Sequence, residues 1–514
     1  MMNIRNPRRR ALAAVGALTA VLALTATAAV ATEAEPSDRS TFPAVSSVLP
    51  DPSALASLHL VKHESPATDL PADGLPVEGI TNPVIEGVEF TIRRHPGIDL
   101  TTRAGWVAAQ DETVLSFPWS AGVYERVGVT DASGLISFYD LPLGLWMVQE
   151  TYTPVGVIPA APFIVALPMT HPVEGDTWMY DVFIYPKNAV VTVGKTVNDY
   201  QVQAGEAIEW IIRADVPALP GETIEMFRIV DVLDERLLWM PELFIPGELQ
   251  VWLEQPGGGA HSSIEASLFT VTHTDATSEG LGGTLTIDFT AAGRAFLDAQ
   301  PVGVRIVVVI RTTLVEVGDG VITNQARLYP NSRAYADSRP VLSNTPESRF
   351  GGIQALKVDN TNHDNVLAGA VFQVFASEAD ARAGVNALSI GEVDTWTTDA
   401  DGLLTINGLR LSNWANGQAV TEADEGWNTY WLVEVQAPQG FELLAEPIPF
   451  HVLTTGAPTT ITLTVENIPT NAGFRLPLTG GTGTTILTVG GLALAGAAVA
   501  LKAAHSRRAR NQAA

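Results

Sequence analysis

The 514-residue chain contains no cysteine. If exported, it must hold together without disulfides, so any covalent reinforcement has to come from other side chains. Basic residues are scarce: 30 Lys and Arg stand against 56 Asp and Glu, a balance that argues against nucleic acid or anionic lipid as partner. Long helical patterns are missing too, and no segment alternates strands with long helices as α/β enzymes do. There is no HExxH, no GxSxG and no cysteine nucleophile, which leaves a surface hydrolase little support. No cofactor and no metal site is expected; "DNTNHDN", residues 359 to 365, is oxygen-rich but lacks the spacing of a calcium loop and reads as a polar turn.

The two ends carry most of what hydrophobicity the chain has in long runs. Arg5, Arg8, Arg9 and Arg10 precede an apolar run from Ala11 to Val30 and the small-residue sequence "AVAT". That layout predicts a secretory signal peptide over residues 1–31, with the Ala-x-Ala ending favouring cleavage near Ala31 over retention as an anchor. At the other end, Leu476, Pro477, Leu478, Thr479 and Gly480 precede an apolar stretch from Ile486 to Leu501. Lys502, Arg507, Arg508 and Arg510 follow it. The stretch is barely long enough to cross a bilayer, and the basic tail would stay in the cytoplasm. Losing both ends removes eight basic and no acidic residues, so 22 Lys and Arg remain against 56 acids, a net charge of −34 suited to a soluble surface protein.

Between the ends, short alternating runs such as "EFTI", "VTVGKTV", "IEWII", "GTLTIDF", "VRIVVVI", "FQVF", "LLTI" and "TITLTV" sit between turn signals. These are strand periods in the manner of β-sandwiches, with "FTAAGRAFLDA" the best short helix. Breaks in the pattern predict a flexible arm over 32–54 and three domains, over 55–188, 189–344 and 351–469, with "SNTPESRFGG" as a linker between the last two. Residues 471–514 form the C-terminal signal.

Lysines recur at telling places. Lys187 in "FIYPKNAVV" is a cation among strand formers, directly after Pro186, which suits a strand edge. Lys195 and Lys357 lie on the opening strands of the second and third domains, and Asn324 and Asn467 end strands near their close. In an immunoglobulin-like sandwich the first and last strands can lie side by side, so each Lys and Asn could meet in the core. A neutral, buried amine attacking an asparagine carboxamide would give an isopeptide bond with loss of ammonia, provided that a carboxyl in the same dry site polarises the amide. Asp231 in "FRIVDVLDERL" and Glu434 in "YWLVEVQAPQGF" are placed to serve, although solvated strand carboxylates or ordinary ion pairs are the bland alternative.

These motifs together resemble the Gram-positive, sortase-assembled major pilins. The C-terminal signal resembles their cell-wall sorting pentapeptide Leu-Pro-x-Thr-Gly. "YWLVEVQAPQGF" resembles their E-box at Tyr430, Leu432, Glu434, Ala437, Pro438 and Gly440, with Val435 and Phe441 as departures. "WMYDVFIYPKN" resembles the pilin motif at Trp178, Val182, Tyr185, Pro186 and Lys187, with Ile184 as the departure. The resemblance implies an all-β chain of three tandem immunoglobulin-like domains of the CNA-B type, with internal Lys–Asn isopeptide bonds.

It also implies roles. Lys187 would accept the Thr479 acyl group of the next subunit from a class C, pilin-specific sortase, and a housekeeping sortase would attach the polymer to peptidoglycan. Lys195 with Asn324 assisted by Asp231, and Lys357 with Asn467 assisted by Glu434, would form internal bonds closing loops of 129 and 110 residues. In the first domain, Lys62 of "LHLVKHES", Glu150 of "WMVQETYTP" and Asn188 offer a third bond; relatives differ on this point, so it stays open. The chain would then be no enzyme beyond this self-cross-linking. Its setting would be a secreted, wall-anchored adhesive fimbria, and its partners other copies of itself, minor or tip pilins and host surface receptors. The alternative is a wall-anchored adhesin or accessory pilin that does not polymerise, and Lys187 discriminates between the two.

Overall fold

A computed structural model of the chain describes residues 49–65, 73–119, 124–219, 222–239, 249–259, 261–278 and 280–470. The expected signal peptide, the arm up to residue 48 and the sorting signal, including Leu476 to Gly480, lie outside the described residues.

The strand Leu55–Val61 turns Leu58 and Leu60 into the core. This strand pairs parallel with Asp181–Ile184 and antiparallel with Leu135–Pro142. A second sheet, in the order Glu125–Val129, Glu89–Arg94, Gly144–Tyr152, Phe163–Leu167, completes the sandwich. Phe90, Ile92, Trp146 and Val148 from this second sheet meet Leu58, Leu60 and Val182 in one core, the interior of an antiparallel-rich sandwich with polar residues facing out.

The middle sandwich is a single hydrogen-bonded network of ten strands. Arg228–Trp239 joins its two halves: Arg228 to Leu233 and, after a register shift, Leu238 pair with Leu281–Phe289, whereas Leu237 to Trp239 also pair with Arg305–Leu314. Trp210, Phe227, Ile229, Leu285, Phe289, Ile306 and Ile310 fill the interior. The expected helix is present over Ala291–Asp298, its first turn capped by Thr290, whose hydroxyl accepts from the Gly293 N–H.

In the third sandwich, Glu347–Asp359 pairs with Leu403–Arg410, Asn362–Val366 and, in parallel, Ile461–Asn467. Val371–Phe375 and Tyr430–Gln436 form the centre of the opposing sheet.

The stretch 343–352, expected to be a linker, is different in the structure. From Glu347 onward it is strand: Glu347 to Arg349 pair with Val321–Thr323 of the middle sandwich, and Phe350 already pairs with Arg410 of the third. Alternation decides this, because Ser348 and Phe350 are buried and Phe350 joins the middle core. Gly351 and Gly352, which look like linker residues, are there for close packing: a Cβ would lie 2.0 Å from the Thr454 carbonyl oxygen at the first and 2.1 Å from that of Ile406 at the second.

Candidate functional site

Among the described residues, three buried Lys–carboxyl–Asn groups occur, one in each sandwich. In the third, Lys357 and Asn467 lie on adjacent parallel strands and Glu434 comes from the opposing sheet. All three side chains are buried. The Lys357 ammonium donates to Asn467 Oδ1 and sits 3.5 Å from Glu434. The Asn467 amide nitrogen donates to both Glu434 oxygens at 2.9 Å and to the Glu442 carbonyl at 3.0 Å, while Leu444 N–H donates to Glu434 at 2.9 Å. Gly440, at φ +89, makes the turn that brings this return segment back, its carbonyl accepting from Thr470.

In the middle sandwich Lys195 Nζ lies 2.5 Å from Asp231 Oδ2, and the Asn324 amide nitrogen donates to the same oxygen at 3.4 Å. Asp231 Oδ1 and Asn324 Oδ1 are buried without a hydrogen-bond partner. One expectation needs correcting here. Asn324 does not end a closing strand beside the Lys195 strand; it falls between Val321–Thr323 and Gln325–Tyr329, and the latter pairs with the strand that carries Asp231. The backbone edge of Lys195 is taken instead by Asn344, whose amide accepts from the Lys195 N–H at 2.8 Å and donates to its carbonyl at 2.7 Å. Asn344 was invisible to sequence reasoning because "SNTP" reads as a turn.

In the first sandwich Lys62, Glu150 and Asn188 also converge. Lys62 donates to Glu150 Oε1, the Asn188 amide nitrogen donates to Oε2 at 2.8 Å, and Ala160 N–H approaches the same oxygen at 3.3 Å. Asn188 Oδ1 is buried and unpartnered.

Each ammonium lies close to an aromatic ring: Lys62 is 5.7 Å from the Phe90 ring centre, Lys195 5.6 Å from Trp210 and Lys357 5.7 Å from Phe372. Burial lowers all three amines, against the pull of the paired carboxylates, and brings Lys195 and Lys357 to about 8. A buried ion pair contributes little net stability, so three of them, each with an asparagine at the apex, point to chemistry instead.

The first and third sites repeat each other in detail. Gly134 and Gly402, both at φ +72, present their carbonyls to the Lys62 and Lys357 N–H at 2.8 Å. Thr130 and Thr398 each bridge two loops, donating to the carbonyl of Ile85 or Leu367 and accepting from the N–H of Val88 or Ala370. "TDASGL" and "TDADGL", at 130–135 and 398–403, carry this repeat in the sequence.

Lys187 is half-buried and lies beside the first site. Lys187–Asn188 pairs in parallel with His63–Glu64, so the residue next to Lys187 is the apex asparagine. The rest of its motif fixes that strand. Trp178 stacks on Trp106 at 5.1 Å, Val182 is in the core, and the Tyr185 hydroxyl accepts from the Val77 N–H at 2.7 Å. Lys187 also lines a cleft of about 150 Å³ together with Ser65, Ala160, Leu219 and Glu222.

Three stretches of the chain match known family models. The Gram-positive pilin subunit D1, N-terminal domain matches residues 69–189, a prealbumin-like fold domain of the SpaA type matches 351–467, and an LPXTG cell wall anchor motif matches 468–512. The chain is 32% identical over 509 residues to the fimbrial subunit type 1 of Actinomyces viscosus, covering 89% of this chain and 92% of that one. It is 29% identical over 562 residues to the fimbrial subunit type 2 of Actinomyces naeslundii, covering 98% of each. Among solved structures, the full-length major pilin SpaD of Corynebacterium diphtheriae superimposes with a TM-score of 0.61 at 25% identity, over 82% of this chain and 98% of SpaD.

Proposed function

From the premise that the chain belongs to the LPXTG-anchored fimbrial subunit family of Gram-positive bacteria, we propose that it is a shaft subunit, self-cross-linked by isopeptide bonds and polymerised through Lys187. The observation that carries this reading is the recurrence of a buried Lys–carboxyl–Asn group in every sandwich, the first of them directly beside Lys187.

The chemistry balances without a cofactor. The neutral lysine amine attacks the asparagine Cγ, the carboxyl hydrogen-bonds the amide and relays a proton from the amine to the departing nitrogen, and the Cγ–Nδ2 bond breaks to release ammonia. Glu150, Asp231 and Glu434 take the carboxyl role, and the dry surroundings keep water from competing. In polymerisation, the Lys187 amine attacks the acyl group that a pilin-specific sortase holds on Thr479 of another copy, releasing the sortase cysteine. A housekeeping sortase then joins the last subunit to peptidoglycan, leaving an adhesive fibre on the cell surface.

Two measurements test this reading. The intact mass of the mature chain should fall short of the sequence mass by two or three ammonias, about 17 Da each. In cells with the pilin sortase, Lys187→Ala should leave monomer on a denaturing gel; a surviving high-mass ladder overturns the assignment of Lys187, and an unmodified mass overturns the internal bonds.

A further inference from the structure

The strand that carries Glu150 is poorly supported by its own sandwich. Its pairing with Phe163–Leu167 ends at Val148 with Phe163, so beyond Val148 no strand among the described residues lies along that edge. On the other side, the register with Glu89–Arg94 slips between Glu89 and Phe90, so that Glu89 faces Tyr152 and Phe90 faces Glu150. Thr151 is the extra residue of this bulge. A bulge disrupts the ladder locally and frees backbone groups, here next to the carboxyl that must be aimed at Lys62 and Asn188.

The middle sandwich supplies what is missing. Arg333 Nη1 donates to the Glu150 carbonyl at 3.1 Å and Nη2 donates to that of Thr151, so one planar guanidinium spans the two successive carbonyls of the bulge. Arg339 donates to the Thr153 carbonyl at 2.9 Å and lies 4.3 Å from the centre of the Tyr152 ring. The mounting is firm. Asn331 caps the helix Ser332–Ala336, Tyr335 packs edge-on against Tyr329, and Asp337 lies 3.6 Å from Arg333.

We propose that Arg333 and Arg339 are positioning residues for the Lys62–Asn188 condensation, so that the first cross-link closes only once the middle sandwich has folded against it. This rests on the isopeptide reading of the first site. It makes cross-linking sequential along the chain: the sandwich bearing the polymerisation lysine is locked after its neighbour is in place, and an incompletely folded subunit remains uncrosslinked beside Lys187.

The test follows bond formation in the full chain during cell-free synthesis, by tryptic mapping of each Lys–Asn pair over time. In Arg333→Ala/Arg339→Ala, the Lys62–Asn188 bond should form about tenfold more slowly or not at all, while Lys195–Asn324 and Lys357–Asn467 form at the normal rate. Arg333→Lys, which keeps the charge and loses the fork, should fall between. A loss of thermal stability with an unchanged Lys62–Asn188 rate would mean a merely structural contact and overturns the proposal. Should the double variant also lose Lys195–Asn324 through misfolding, Arg333→Lys carries the test, and a normal first bond there overturns it. If the unaltered chain never joins Lys62 to Asn188, the reading of the first site itself falls and the proposal with it.

Discussion

Lys357 and Asn467 lie two rungs apart on parallel strands: Asn467 pairs with Asp359, two residues beyond the lysine. The first sandwich repeats the offset, Asn188 pairing with Glu64, two residues beyond Lys62. Two residues along a strand keep both side chains on one face, about 6.6 Å apart along the parallel strands, a span that an extended lysine covers. The apex asparagine is thus delivered to the amine by register alone.

Removing a carboxyl should therefore cost one bond only. Glu434→Gln, Asp231→Asn and Glu150→Gln are each expected to reduce the deficit against the variant's own sequence mass by one ammonia, about 17 Da, and to leave the other two pairs joined, because distant sites act independently. Mapping the tryptic cross-links checks this, and loss of two bonds from a single change would contradict it.

Bond formation should depend on pH with a definite sign. The attacking form is the neutral amine, and burial lowers Lys195 and Lys357 to about 8. At pH 7 about a tenth of each amine is neutral, against about one part in three thousand for an unperturbed lysine. The rate of ammonia loss at these two sites should rise about tenfold between pH 6 and 7 and level off above 8. A flat profile between 6 and 8 would show that the amine is not the titrating group.

Asn467→Ala would open a loop of 110 residues. On the chain-entropy account of cross-links, a loop of this length is worth on the order of 5 kcal/mol. For a domain of this size, that loss should lower the melting temperature of the third sandwich by roughly 15 °C or more. The variant also strands the buried Lys357 ammonium beside Glu434, so protease resistance should fall as well. Calorimetry and timed trypsin digestion read the two effects.

Gly402→Ala tests the backbone that seats the third lysine. Gly402 is at φ +72, and a Cβ there would lie 2.8 Å from the Lys357 carbonyl oxygen. The strained backbone should push the Lys357 strand away from Asn467 and slow the third bond, with the middle bond unaffected. Comparison of the two bond-formation rates in one sample provides the check.

Much of this was legible in the residues. Asp231 and Glu434 stood out because a carboxylate inside an apolar run has to be paired or reactive, and Lys62, Lys195 and Lys357 because a cation in a strand period is costly. Alternation located the strands, and the apolar spacing within "FTAAGRAFLDA" located the one expected helix. The helices Ser332–Ala336 and Glu378–Ala383 escaped because each is too short to display a helical period. The continuous strand Glu347–Asp359 escaped because Pro346 and the Gly351–Gly352 pair punctuate it like a linker.

The sequence by itself determined the strand-rich class, the C-terminal wall-anchor motif and the identity of the residues gathered in each core, since all of these are written in local composition and short periods. Tertiary structure alone decided which asparagine meets which lysine by register and which by a crossing strand, that Asn344 holds the Lys195 backbone, and that Arg333 reaches from one sandwich to the bulge of another. The physical reason is separation: those contacts join residues 149 and 183 positions apart, and no local pattern encodes a partner that only the packing of sheets brings near.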